Sequence, residues 1–218
     1  MLSYDYETQP YDHQRKALED SWAAEFYALL MEMGTGKTKV AIDTMGVLYE
    51  AGKIKAALVI APKGVYDNWV KGEIPIHLPK RIPRQVLRWT PAKTLKFENE
   101  LKDFIVDRDP KLKVFVVNVE AFSTPRGMEA AEAFLYQNPD NIVVVDESTT
   151  IKNRKASRTK NIIALQKRAK YRRILTGSPI TKSPMDLFSQ CNFLAEKALG
   201  FNSYYAFQAR YANVAKRT

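Results

Sequence analysis

The chain alternates short, unbroken apolar runs with stretches of helical spacing. Phe26-Tyr27-Ala28-Leu29-Leu30-Met31 is an apolar run leading into a glycine-rich turn, and it predicts a buried strand. From Val40 to Tyr49 the positions Val40, Ala41, Thr44, Met45 and Leu48 follow a helical period that stops near Gly52. A second strand is expected over residues 56–60, closed by Ala61-Pro62, with others over 85–89, 114–118, 142–145 and 173–176. Several of these are β-branched runs without alternation, the pattern of strands covered on both faces. Strands separated by helices imply right-handed βαβ units and an α/β fold of three layers around a mainly parallel sheet. Pro75, Pro79, Pro83 and Pro91 predict a loop-rich surface connection. Residues 201–215 read as a helix whose Tyr204, Tyr205, Phe207 and Tyr211 serve either as core or as base-stacking platforms. With 218 residues and no internal repeat, one domain spanning 1–218 is expected.

Composition narrows the class. A hydrophobic share of 45% with 11% aromatics fits a folded globule and argues against disorder. No apolar run approaches the roughly 18 residues of a membrane span, and the N-terminal stretch is too acidic and polar for a secretory signal. Cys191 is the single cysteine, so no internal disulfide forms, and a reducing, cytoplasmic setting is expected, that of a host cell if the protein is viral. With only His13 and His77, a His/Cys zinc site is not expected. The net charge of +10 is uneven: residues 1–50 carry 4 Lys/Arg against 9 Asp/Glu, and residues 151–218 carry 15 against 2. Ten basic residues and no acidic one lie between Lys152 and Arg173. Such a run is either a solvated face or a footprint for phosphate backbones.

Two segments carry chemistry. Gly34-Thr35-Gly36-Lys37-Thr38 follows the first strand and opens a helix. Glycines there let backbone N–H groups wrap a polyphosphate at a helix N-terminus. Lys37 is placed to reach the terminal phosphates and the Thr38 hydroxyl to ligate Mg²⁺. The pattern usually opens with glycine where this chain has Met31. The second segment, Ile142-Val143-Val144-Val145-Asp146-Glu147, is a buried strand ending in two carboxylates. At the carboxyl edge of the sheet they face the same crevice as the phosphate loop. Asp146 is the candidate Mg²⁺ holder and Glu147 the candidate base for the attacking water.

Together these segments resemble the superfamily-two helicases, and among them the Swi/Snf-like double-stranded DNA translocases. Met31-Glu32-Met33-Gly34-Thr35-Gly36-Lys37-Thr38 is similar to the family's Asp-Glu-Met-Gly-x-Gly-Lys-Thr, with Met31 replacing Asp. Gln14 stands where the family has an adenine-recognising glutamine. Leu58-Val59-Ile60-Ala61-Pro62, with Asn68-Trp69 and Glu73, resembles the motif Pro-x-x-x-x-x-Asn-Trp-x-x-Glu with one extra residue before the Glu. Asp146-Glu147-Ser148-Thr149-Thr150-Ile151-Lys152-Asn153 resembles Asp-Glu-Ala-His-x-Ile-Lys-Asn, so Thr149 replaces a histidine that links the nucleotide site to Leu175-Thr176-Gly177-Ser178-Pro179. Lys182 replaces an Asn.

The resemblance implies a RecA-like P-loop lobe of a DNA translocase or helicase, hydrolysing Mg-ATP and moving on DNA, double-stranded by preference. Thr149, Thr176 and Ser178 would couple nucleotide to DNA. It also implies a second RecA-like lobe supplying arginine fingers, so that this chain reads as the N-terminal lobe, monomeric, weak or inactive as an ATPase alone. The compact lobe fits a phage or bacterial member. DNA contacts are expected after Ala61-Pro62 (Lys63, Gly64), at Ser123, Thr124 and Arg126, and at Lys152 and Arg154; residues 123–127 read equally as a capped helix start. Two other readings stand beside this one: the motor lobe of a restriction-type P-loop ATPase, and a DNA-binding module with a vestigial nucleotide site.

Overall fold

The structure, a computed structural model, describes residues 3–212. Helix α1 (Asp12–Ser21) precedes β1 (Phe26–Leu30), α2 (Lys37–Glu50) and β2 (Ala56–Ala61). A broken helical segment follows: α3 (Tyr66–Asn68), a π turn (Trp69–Glu73) and α4 (Ile74–His77). Then come β3 (Arg84–Arg88), α5 (Leu95–Val106), β4 (Leu112–Asn118), α6 (Pro125–Gln137), β5 (Asn141–Asp146), α7 (Ser157–Ala164), β6 (Tyr171–Thr176), α8 (Asp186–Leu194) and α9 (Tyr204–Tyr211). All six strands pair in parallel, in the order β1-β6-β5-β2-β4-β3.

Side chains alternate between two cores. Leu58 and Ile60 of β2, Phe115 and Val117 of β4 and Val143 and Val145 of β5 face α5, α6, α7 and α8. Val59, Val116 and Val144 face α1, α2 and the 66–82 segment. This is the three-layer α/β arrangement expected, and the unbroken apolar runs are explained by coverage of both sheet faces. The proline-rich connection is not wholly a surface loop, because Ile74, Leu78 and Ile82 are buried against α2 and Pro75 sits in the first turn of α4. The last helix is shorter than expected: α9 ends at Tyr211, and residues 213–215 fall outside those described. Phe207 is buried in a ring cluster with Phe188, Phe201 and Tyr211, whereas Tyr205 is exposed.

Two buried charges depart from a simple core. Lys39 and Asp43, one turn apart on α2, form an ion pair at 2.7 Å with both side chains almost inaccessible. Burial pushes the Asp43 carboxyl up to about 6 against the pull of the Lys39 ammonium. Lys39→Met is expected to cost about 3–5 kcal/mol by stranding a buried carboxylate, and the Lys39→Met/Asp43→Leu double variant distinctly less. Urea unfolding of both variants checks this. Arg173, inside the basic run, is fully buried rather than on a solvated face. Its guanidinium donates to the carbonyls of Ser21, Trp22, Ala24, Glu25 and Arg172, tying the end of α1 to β6.

Candidate nucleotide site and neighbouring loops

Three neighbouring strands end level: Leu30 of β1 lies opposite Thr176 of β6, and Asp146 of β5 opposite Leu175. The turns leaving them form one crevice at the carboxyl edge of the sheet, the usual ligand position in such folds. Gly34 and Gly36 both have φ of +81°, in the left-handed region that favours glycine. At Gly36 a Cβ would also stand 2.3 Å from Gln14 Nε2, so glycine there lets α1 approach the loop. Nothing lies within 4 Å of a Cβ built on Gly34, which leaves the outer side of the loop open. Gln14 Nε2 donates to the Thr35 carbonyl at 2.9 Å, while its Oε1 accepts from the Tyr11 amide at 3.0 Å. Lys37, at the first turn of α2 with Thr38, donates from Nζ to the Glu32 carbonyl at 2.9 Å. Backbone donors, the start of the α2 dipole and a lysine thus lie together, the set of groups that binds a polyphosphate.

Across the crevice, Asp146 Oδ2 accepts from the Trp69 indole N–H at 2.8 Å and Oδ1 from the Glu147 amide at 2.9 Å. Burial holds the Asp146 carboxyl above its ordinary range, opposed by those two hydrogen bonds and by Lys37. Trp69 was visible in sequence only as part of Asn-Trp. Its role requires contact with a residue 77 positions away. The extra residue before Glu73 is absorbed by the π turn, in which the Ile74 amide donates to the Trp69 carbonyl. Asn68 Nδ2 therefore still donates to Glu73 Oε1, at 3.0 Å. An insertion that would have rotated Glu73 away is accommodated as a local bulge.

Glu147 has φ of +47°, a strained left-handed conformation for a side-chain-bearing residue, costing about 1 kcal/mol or more. Its Oε1 accepts from the hydroxyls of both Thr149 and Thr176 at 2.8 Å. Thr176 Oγ1 in turn accepts from the Ser178 amide at 3.2 Å. Thr149, the residue in the place of the family histidine, thereby contacts the acidic pair directly. Gly177 packs behind the phosphate loop, where a Cβ would stand 3.1 Å from the Met33 amide nitrogen.

The DNA candidates fall in two places: Lys63, Thr124 and Arg126 line one groove, and Lys152 and Arg154 lie by Thr181 and Tyr204. Lys63 and Gly64 are exposed after β2, on the same sheet edge as the candidate nucleotide site. Lys63 lines a groove of about 700 Å³ with Trp89, Lys93, Asn118, Thr124 and Arg126. Ser123 is exposed. Thr124 caps α6, accepting from the Gly127 amide, as the capped-helix reading of this segment required. Arg126 stacks over Trp89 and donates to Glu98 and to the carbonyls of Thr90, Pro91 and Ala92, so its guanidinium is occupied within the fold. Lys152 donates to the Thr181 hydroxyl, and Arg154 lies 4.0 Å from the centre of the Tyr204 ring. The loop beyond β6 is itself organised by Asp186, which accepts from the Thr181 hydroxyl and from the Thr181 and Lys182 amides. Partial burial would raise the Asp186 carboxyl, but these bonds outweigh it and lower its pKa to about 2.

A parallel α/β lobe with a phosphate loop, an acidic strand end and a Thr-Gly-Ser-Pro turn converging on one crevice defines a P-loop domain of the RecA-like class. The SNF2-related domain profile matches residues 19–216, and the chain belongs to that family. It is 28% identical over 167 residues to the SWI/SNF-related matrix-associated actin-dependent regulator of chromatin subfamily A containing DEAD/H box 1 of Xenopus tropicalis, covering 75% of this chain and 15% of that protein. It is 25% identical over 194 residues to the ATP-dependent helicase FUN30 of Saccharomyces cerevisiae, covering 86% of this chain and 16% of that protein. Among solved structures, the Sulfolobus solfataricus SWI2/SNF2 ATPase core in complex with dsDNA shares the fold, with a TM-score of 0.72 at 20% identity over 97% of this chain and 41% of that one. The chain thus spans a small part of these curated relatives' length. Among the described residues no helix is long and apolar enough to cross a membrane.

Proposed function

We propose that this chain is the ATP-binding lobe of a DNA translocase, with Mg-ATP held in the crevice at the ends of β1, β5 and β6. The observation that carries the reading is the convergence there of the open glycine loop, Lys37, and the Asp146-Glu147 pair. The donor set fits Mg-ATP: Gly34, Thr35 and Gly36 supply backbone donors, and Lys37 a cation that rests on the Glu32 carbonyl. Thr38 and Asp146 would supply the protein's oxygen ligands for Mg²⁺. Gln14, already beside Thr35, is placed for the adenine. The metal supplies charge neutralisation on the phosphates.

The protein's own contribution is orientation and proton handling. Trp69 and the Glu147 amide fix both oxygens of Asp146. Thr149 and Thr176 fix one oxygen of Glu147, so that its carboxylate orients a water and accepts its proton. The strained backbone at Glu147 is consistent with a residue held for chemistry. We further infer that a second RecA-like lobe completes the motor. Exposed apolar side chains at the crevice rim, Leu30, Met33 and Ile180, support this.

Duplex DNA is the proposed track, with Lys63, Gly64 and Ser123 as first contacts and Lys152 and Arg154 as a second set; Thr124 and Arg126 are better read as shaping the groove. Binding of fluorescent duplex DNA, titrated between 50 and 200 mM salt, is expected to weaken about 10-fold or more, the slope growing with the number of phosphates neutralised. Salt-independent binding, or none, counts against the DNA assignment while leaving the nucleotide site standing.

A further inference from the structure

A second connection, buried at its centre, runs from the acidic pair to the loop beyond β6. Ser148 and Gln190 are both fully inaccessible. The Ser148 hydroxyl donates to Gln190 Oε1 at 2.6 Å. Gln190 Nε2 donates to the Pro179 carbonyl at 2.8 Å and to the Asp186 carbonyl at 2.7 Å. Gln190 lies on α8, one turn after Asp186, and so joins the residue after Glu147, the Ser178-Pro179 turn and the first turn of α8. The side-chain amide makes three hydrogen bonds, the one to Ser148 buried and the other two part-buried. Such a network breaks as a unit, because each unmade bond leaves a buried polar group unpaired.

The two arms are complementary. Glu147 grips the start of the turn through Thr176, and Ser148 grips its end through Gln190 and Pro179. Beyond that end lie Thr181, which receives the Lys152 ammonium, and exposed Lys182. Where the resembled motif has Ala and His, this chain has Ser148 and Thr149, both hydrogen-bonded in these arms.

We propose that Ser148 and Gln190 form a positioning pair, coupling the Glu147 peptide to the Lys152–Lys182 surface so that nucleotide and DNA bind cooperatively. The inference rests on the crevice taking Mg-ATP and that surface taking DNA. Neither residue is assigned a contact with either ligand, so their effect belongs to the linkage between ligands and not to either affinity alone.

The decisive variant is Ser148→Ala/Gln190→Leu, which replaces the buried pair with apolar groups, leaves the part-buried Pro179 and Asp186 carbonyls without the Gln190 amide, and is expected to remain folded. Gln190→Met, similar in length and lacking the amide, is the second variant if the first unfolds by circular dichroism. The affinity of the chain for a non-hydrolysable Mg-ATP analogue is measured with and without saturating duplex DNA. In the unmodified chain DNA is expected to change it by about fivefold or more. In the variant each ligand alone binds within about threefold of its former affinity, and the coupling ratio falls to about one. Full coupling retained in a folded variant overturns the proposal, as does a parent chain that binds both ligands independently. A parent chain that binds no nucleotide overturns the assignment of the crevice instead.

Discussion

Glu147→Gln is expected to lower the single-turnover rate of ATP hydrolysis by about 10²–10⁴-fold while nucleotide affinity changes little. The substitution is nearly isosteric, and the amide oxygen still accepts from the Thr149 and Thr176 hydroxyls that now meet Oε1 at 2.8 Å. The strained backbone conformation at this position is kept, so the crevice retains its shape. Only the capacity to take a proton from water is removed. Rapid-quench measurement with protein in excess over ATP and duplex DNA present separates the chemical step from binding. A rate within threefold of the unmodified protein would move the base to another residue.

Lys37→Ala acts on the other side of the site. Its ammonium rests on the Glu32 carbonyl at 2.9 Å, within the loop that Gly34 leaves open on its outer side. Moving onto phosphate exchanges one neutral acceptor for charged ones, and hydrogen bonds to charged groups contribute about 1.5–3 kcal/mol each. Its loss is expected to weaken Mg-ATP binding by about 3 kcal/mol, roughly 150-fold. Because the only hydrogen bond of the Lys37 ammonium among the described residues is to that nearby carbonyl, the fold is expected to survive, as thermal melting of the variant will report. Unaltered affinity would instead favour the reading of a vestigial nucleotide site.

The parts of the site legible in sequence are those that local pattern dictates. A β-branched run ending in Asp146-Glu147, and glycines between an apolar strand and a helix, have few other uses. Their meeting in space required only that β1, β6 and β5 be neighbours. What stayed hidden depends on contacts between residues far apart. Trp69 meets Asp146 across 77 positions, and Asn68 meets Glu73 across a π turn that local pattern does not announce. Arg173 sits in a basic run that suggests a solvated face, yet five carbonyls draw it inside. Gln190 looks like an ordinary helical glutamine until Ser148 is seen beneath it. Arg126 illustrates the converse: a basic residue in a phosphate-binding pattern whose donors are taken up by Glu98 and the 90–92 backbone.

The central claim is that the ends of β1, β5 and β6 form a Mg-ATP site, and calorimetric titration of the unmodified chain with ATP tests it most directly. The account predicts saturable binding of one nucleotide per chain, weakened at least tenfold when EDTA replaces Mg²⁺. A folded chain that shows no saturable binding, or binds ATP equally well without the metal, would contradict it.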